Sequence, residues 1–239
     1  MPMFKAPEIE EVVREVSAAR RYVHDQFAAV EASYPHWRRG IDARSVLMAK
    51  IGNQMNSVEL ALVFIGVHLA DGNWWNETYD KKVGVDPIAF MEFTQFVRIG
   101  FLHQLVGAIE SSSRFLLRHL DPLAANGGTG KAVVVYRELY ERHLPELRDV
   151  IPLLSLLRLT RNSIHNNGIV FLPSGGCETI TLGSANYAFV HGEHIEFATW
   201  SFLFERARDL ADVAVRLVTH PLVAAPSELR DPGADPDTV

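Results

Sequence analysis

Apolar residues recur at intervals of three and four near the start of the chain, which is the spacing of one face of an α-helix. Charged residues occupy the opposite face, so the pattern is that of an amphipathic helix. We therefore predict a helix from Glu8 to about Ser33, with a buried stripe of Val12, Val16, Ala19, Val23, Phe27 and Val30.

Two longer helices are predicted to follow. Asp42 offers a side-chain oxygen that can cap a helix reaching about Ala70. The stretch 71–85 starts with turn residues and has no clear periodicity, so we expect an ordered loop there. Asp86 and Pro87 then combine a capping carboxylate with a proline at the first helical position, which predicts a long helix to Leu120.

The second half of the chain begins with a glycine-rich break at 126–130, for which we predict a flexible loop. Lys131–His143 is expected to be helical, and Pro145 and Pro152 mark the starts of further helical turns. The last of these runs should end at Asn166-Asn167-Gly168 through a left-handed cap.

Alternating β-branched and polar residues at 178–182 and 194–197 predict two strands, with Gly183 and Gly192 at turns. Thr199 can cap a final helix. The fold class is therefore mainly α, a helical bundle with a small antiparallel β-hairpin before the last helix. We expect one domain over 1–220, with the hairpin inserted around 177–198, and a flexible tail over 221–239.

Composition narrows the classes of function. The chain is 48% hydrophobic and 22% charged, has a net charge of −6, and contains the single cysteine Cys177. We expect a cytoplasmic protein that binds no membrane, because its most apolar stretch is too short to span a bilayer and it begins without a secretory signal. No metal site and no cofactor is expected, since His191 and His194 lack a third ligand.

One segment, Leu156–Gly168, concentrates two arginines, a histidine and three asparagines at a helix end. At 100° per residue, Arg158, Arg161, Asn162 and His165 fall within an arc of about 100°, and Asn166 follows them. Arginine matches phosphate oxygens with a planar fork of donors, and imidazole exchanges protons near neutral pH. These residue types suit metal-independent phosphodiester cleavage, with His165 as acid or base and Arg161 or Arg158 stabilising the developing negative charge.

A second polar group lies inside the predicted helix that ends at Leu120. Glu110 and Arg114 are four residues apart, and His103 lies two turns earlier on a similar face. Glu110 could orient His165 or Arg161 in the folded bundle, or it could form an intrahelical ion pair with Arg114. We include both Glu110 and Arg114 as supporting or substrate-binding candidates, together with Asn162 and Asn166.

The segment resembles the HEPN family, whose motif is Arg, four to six residues, then His, often with Asn directly after the Arg. Arg158 and His165 are separated by six residues, and Arg161-Asn162 supplies the dipeptide three residues before His165. The resemblance implies a helical bundle and an endoribonuclease acting in defence, toxin–antitoxin systems, stress response or RNA turnover. It also implies an active site completed by a homodimer, with RNA as substrate and a cognate antitoxin or regulatory protein as partner.

Two other interpretations remain open. The chain could be a HEPN-like module without turnover that binds RNA, a nucleotide or a protein, which the irregular motif spacing favours. Alternatively, it could be a helical scaffold without an active site, which burial of His165 against Glu110 would favour.

Overall fold

Helix caps at three predicted positions start long helices in the computed structural model, which describes residues 6–79, 84–126 and 131–233. The Asp42 carboxylate accepts a hydrogen bond from the Arg44 amide at the start of the second helix, and Asp86 accepts from Ile88 and Ala89. The described elements are α1 (Ala6–Ser33), α2 (Ala43–Phe64), α3 (Gly72–Tyr79), α4 (Pro87–Leu120), α5 (Pro122–Asn126), α6 (Ala132–Arg137), α7 (Ile151–His165), β1 (Cys177–Leu182), β2 (Ala185–Val190), α8 (Trp200–Thr219) and α9 (Pro221–Ala224).

The helices form a bundle around one hydrophobic core. α1 packs against α2 and α8, α2 packs against α4, and α4 packs against α7. The predicted stripe of α1 is buried in this core from Val12 to Val30. Two π-helical turns, Ile65–Leu69 and Glu138–His143, continue α2 and α6, and a 3-10 helix, Pro145–Val150, leads into α7. The mainly α prediction is confirmed.

The strands form an antiparallel hairpin before α8, as predicted, but the second strand lies earlier than expected. Leu182 pairs with Ala185, so Gly183 and Ser184 alone make the turn. Gly183 has a φ of 60°, which glycine adopts without a steric penalty. The strand predicted at 194–197 does not form, and His194 instead makes an isolated bridge with Ile169, which follows α7.

Two other segments differ from the sequence prediction. The prediction of a loop after Asp71 is wrong, because residues 72–79 form α3. The buried Trp75 indole anchors this helix by donating a hydrogen bond to the Leu69 carbonyl. Residues 221–233 of the expected tail pack on the bundle, where Val223 and Leu229 are buried. Residues 127–130 of the predicted loop and 234–239 of the predicted tail lie outside the described residues.

No described helix combines the length and the hydropathy that crossing a lipid bilayer requires.

Candidate functional site

α7 presents the arginine–histidine segment because its sequence separates an apolar stripe from a polar edge. Leu153, Leu157 and Ile164 are buried, whereas Asn162 and His165 are exposed. The helix ends where Asn167 and Gly168 adopt φ values of 57° and 86°, and the Gly168 amide donates to the Ser163 carbonyl. This termination follows the predicted left-handed cap and leaves His165 in the last helical position.

α4 supplies the other side of the site. Its Glu110 forms an ion pair with Arg161, with 3.2 Å between Glu110 Oε2 and Arg161 Nη1. Both side chains are largely buried, with 15% of Glu110 and 19% of Arg161 exposed. Two turns earlier on the same helix, the His103 ring meets the His165 ring edge to face, with 5.6 Å between centroids and 67° between planes. The pairing of 110 with 161 and of 103 with 165 shows that α4 and α7 run antiparallel here.

Four side chains thus form one cluster across the α4–α7 contact: His103, Glu110, Arg161 and His165, which we call the His/Arg cluster. Its two imidazoles differ in environment, because His165 is exposed and His103 is half-buried. Burial lowers the pKa of His103 below its ordinary value, and the positive charges of Arg161 and His165 lower it further, against an opposing effect of Glu110. A lowered pKa keeps an imidazole neutral, and therefore able to accept a proton, at neutral pH.

Tyr136 of α6 lies beside this cluster with its hydroxyl buried. Its pKa is raised first by burial and then by the negative charge of Glu110, while Arg161 and Arg114 act in the opposite direction. Within the described residues, neither the Tyr136 hydroxyl nor Oε1 of Glu110 has a hydrogen-bond partner. Both atoms are therefore buried polar groups at the cluster, with hydrogen-bonding capacity that the described residues leave unused.

The remaining predicted site residues surround the cluster. Arg158 lies one turn before Arg161 and is half-buried, and its Nε has no hydrogen-bond partner among the described residues. Asn162 is exposed, and the exposed Asn166 donates from Nδ2 to the Asn162 carbonyl, which shows a role in ending α7. Arg114 is half-buried one turn after Glu110. Glu110 has the pairing with Arg161 that was one of the two roles considered for it.

Sequence reasoning placed His103 on the side of α4 that carries Glu110, but it did not bring His103 to His165. Nothing in the sequence shows that α4 and α7 pack with these residues at the same level. Tyr136 was missed altogether, since a tyrosine in the apolar run of α6 gives no sign of an unpaired hydroxyl.

The cluster offers acid–base and anion-binding groups. No three His, Cys, Asp or Glu side chains in the described ranges are grouped so that they could hold a metal ion. Burial of His165 against Glu110 would have favoured a helical scaffold without an active site. His165 is instead exposed. Comparison with protein-family models, with curated proteins and with solved structures found no match to this chain.

Proposed function

We propose that the chain is a HEPN-like, metal-independent endoribonuclease whose reaction centre is the His/Arg cluster. The observation that supports this most is the pair of imidazoles, one exposed and one half-buried, in contact beside a guanidinium. Cleavage of RNA through its own 2′-hydroxyl needs one group that removes a proton and another that returns one. His103 and His165 supply both from one chain.

The roles follow from the two environments. His103, with its lowered pKa, takes the proton of the 2′-hydroxyl, whose oxygen attacks the adjacent phosphorus. His165, which is open to solvent, donates a proton to the leaving 5′-oxygen as the P–O5′ bond breaks. The products are a 2′,3′-cyclic phosphate and a free 5′-hydroxyl. Arg161 stabilises the charge on the pentacoordinate phosphorus, and Glu110 holds that guanidinium in place.

We expect the purified chain to cleave single-stranded RNA in excess EDTA and to leave 2′,3′-cyclic phosphate ends, identified by mass spectrometry. His165→Ala and His103→Ala should each lower the rate by about 10²-fold or more, since each removes one proton-transfer group. His119→Ala is the matched control, because His119 is an exposed histidine of α4 outside the cluster.

Substrate with a 2′-deoxy sugar at the scissile position should stay intact, because it lacks the attacking oxygen. An inert parent protein, or a His165→Ala protein as fast as the parent, contradicts the proposal.

We retain a homodimer in the proposal, although the proposed reaction uses groups from a single chain. The resemblance implies a site completed by a second copy, whereas the two imidazoles of the His/Arg cluster lie in one chain. Light scattering during the RNA assay tests this point. An active protein with the mass of one chain would show that the site is complete in the monomer.

A second candidate is a module that binds RNA without cleaving it. The ion pair with Glu110 favours this candidate, because it offsets the charge with which Arg161 would stabilise the phosphorane in a cleavage reaction. In that case fluorescent single-stranded RNA would bind without turnover. His165→Ala would bind like the parent, whereas Arg158→Gln would reduce the affinity and its dependence on salt.

A further inference from the structure

A large apolar surface on α2, α3 and α4 is open to solvent. Leu60, Val67 and Phe96 are 72%, 58% and 71% exposed. Soluble chains rarely leave a contiguous apolar patch uncovered unless it binds something. We call this surface the aromatic face and define it by Leu60, Phe64, Val67, Trp74, Phe93 and Phe96.

The aromatic face is continuous across three helices. The Phe64 ring of α2 lies 5.9 Å from Trp74 of α3 and 6.1 Å from Phe93 of α4, measured between centroids, and Phe93 lies 6.4 Å from Phe96. The π-helical turn Ile65–Leu69 begins directly after Phe64, and π-helical turns often occur at functional sites.

A cavity of about 480 Å³ opens within the face, lined by Phe64, Trp74, Phe93 and Phe96 among others. Its volume is sufficient for one or two large apolar side chains of a partner. Leu60 and Val67 do not line the cavity, so a small molecule bound in it would leave them exposed. A polypeptide covers both the cavity and its surroundings.

Charge decides which polypeptide fits. The exposed charged residues described on α3, on the first turns of α4 and directly before these helices are all acidic: Asp71, Glu77, Asp86 and Glu92. Residues 80–83, which include Asp80, Lys81 and Lys82, lie outside the described ranges, and the sequence from 71 to 92 as a whole keeps a net charge of −3. Glu92 also lines the cavity, and no described residue forms an ion pair with it. A second copy of this chain would meet the face with like charge, whereas a basic partner would be attracted.

We propose that the aromatic face binds a basic amphipathic helix of a partner polypeptide. Apolar side chains at helical spacing enter the cavity and cover Leu60 and Val67, while flanking Lys or Arg side chains meet Glu92 and its acidic neighbours. This interaction is separate from RNA cleavage, and it can be measured whether or not the chain is a nuclease.

The test uses three fluorescein-labelled synthetic peptides of about 18 residues, or five helical turns. The first is an amphipathic Leu/Lys helix, the second has the same composition scrambled so that no apolar face forms, and the third carries Glu in place of Lys. Anisotropy titration of the full chain should show micromolar binding of the first peptide and at least tenfold weaker binding of the other two.

Variants locate the contact. Phe96→Ser should weaken binding about tenfold, as expected of a central apolar anchor, and Glu92→Gln should weaken it two- to fivefold. The matched controls are Phe171→Ser, an exposed phenylalanine outside the face, and Glu10→Gln, an exposed carboxylate on α1. Both should bind like the parent.

The proposal would be overturned by no binding of the first peptide, by equal binding of all three peptides, or by equal effects of Phe96→Ser and Phe171→Ser. A dimer in light scattering that Phe96→Ser dissociates would also overturn it, because the occupant would then be a second copy.

Discussion

His103 is the residue on which the proposed chemistry depends most, since it differs from an ordinary surface histidine in both its burial and its neighbours. Burial disfavours the protonated ring, and Arg161 and His165 add positive charge beside it. A base must be neutral to act, so activity falls as the pH drops through the pKa of His103. On the acid side of the pH–rate profile, the midpoint of the fall in activity should therefore lie below 6.5, the ordinary pKa of histidine.

We expect the ring-proton NMR signal of His103 to titrate with a midpoint below 6.5. In Arg161→Met the midpoint should rise, because the variant removes a nearby positive charge that also pairs with Glu110. The His103 signal is assigned by its absence in His103→Ala. His119, which lies outside the cluster, serves as the internal control. A parent midpoint at or above 6.5, or a downward shift in Arg161→Met, contradicts this electrostatic account.

At the scale of elements, hydrogen bonds between a capping side chain and a backbone amide two or three residues later stabilise the starts of α2, α4 and α8. Thr199 is the N-cap of α8, where its Oγ1 accepts a hydrogen bond from the Phe202 amide at 3.2 Å. α8 packs against α1, and many of its residues are buried in the core. Loss of its N-cap should therefore lower the free energy of unfolding of the whole bundle.

Thr199→Ala should lower the free energy of unfolding by about 1 kcal/mol, because the Phe202 amide loses its acceptor. Thr199→Ser retains the hydroxyl and should stay within about 0.5 kcal/mol of the parent. Urea unfolding followed by circular dichroism measures both variants. Equal losses in the two would show that the methyl group, and not the cap, is responsible.

Local signals also explain how far the sequence could predict this molecule. Asp42, Asp86-Pro87 and Thr199 each mark a helix start through contacts within three residues, and the structure displays all three caps. The hairpin was predicted in the right region, but its second strand was misplaced. Both Gly183 and Gly192 can turn a chain, and local sequence does not show that Leu182 pairs with Ala185.

The candidate site was only partly predictable for a related reason. Helical periodicity places Arg158, Arg161 and His165 on one edge of α7, because that relation is local. The contact of His103 with His165 depends on how α4 and α7 pack and on their relative level, which no single stretch of sequence encodes.

At the scale of the whole molecule, a buried ion pair joins the start of α2 to the C-terminal segment. Asp42 and Arg44 are each 1% exposed, with 2.8 Å between Arg44 Nε and Asp42 Oδ1. Arg44 Nη1 donates to the carbonyls of Val223, Ala224 and Pro226, and Asp42 accepts from the Leu229 amide. These bonds explain why residues 221–233 pack on the bundle.

Asp42→Asn should lower the free energy of unfolding by about 3–5 kcal/mol, because it leaves the buried guanidinium without its counter-charge. Arg44→Met should cost a similar amount, and the double variant should cost less than the sum of the two. The control is Asp149→Asn, which breaks the exposed ion pair with Arg216 and should cost less than about 1 kcal/mol. Urea midpoints and slopes give these values. A loss in Asp42→Asn no larger than in Asp149→Asn contradicts the assigned role.

This buried pair also has a consequence for synthesis of the protein. Arg44 leaves the ribosome about 180 residues ahead of the carbonyls that it binds in the folded chain. Burying an arginine without its partners is costly, so the guanidinium must stay hydrated until those carbonyls have emerged. Its transfer from water into the protein interior must wait for residues 223–226, and the nascent bundle stays open at that point until they arrive.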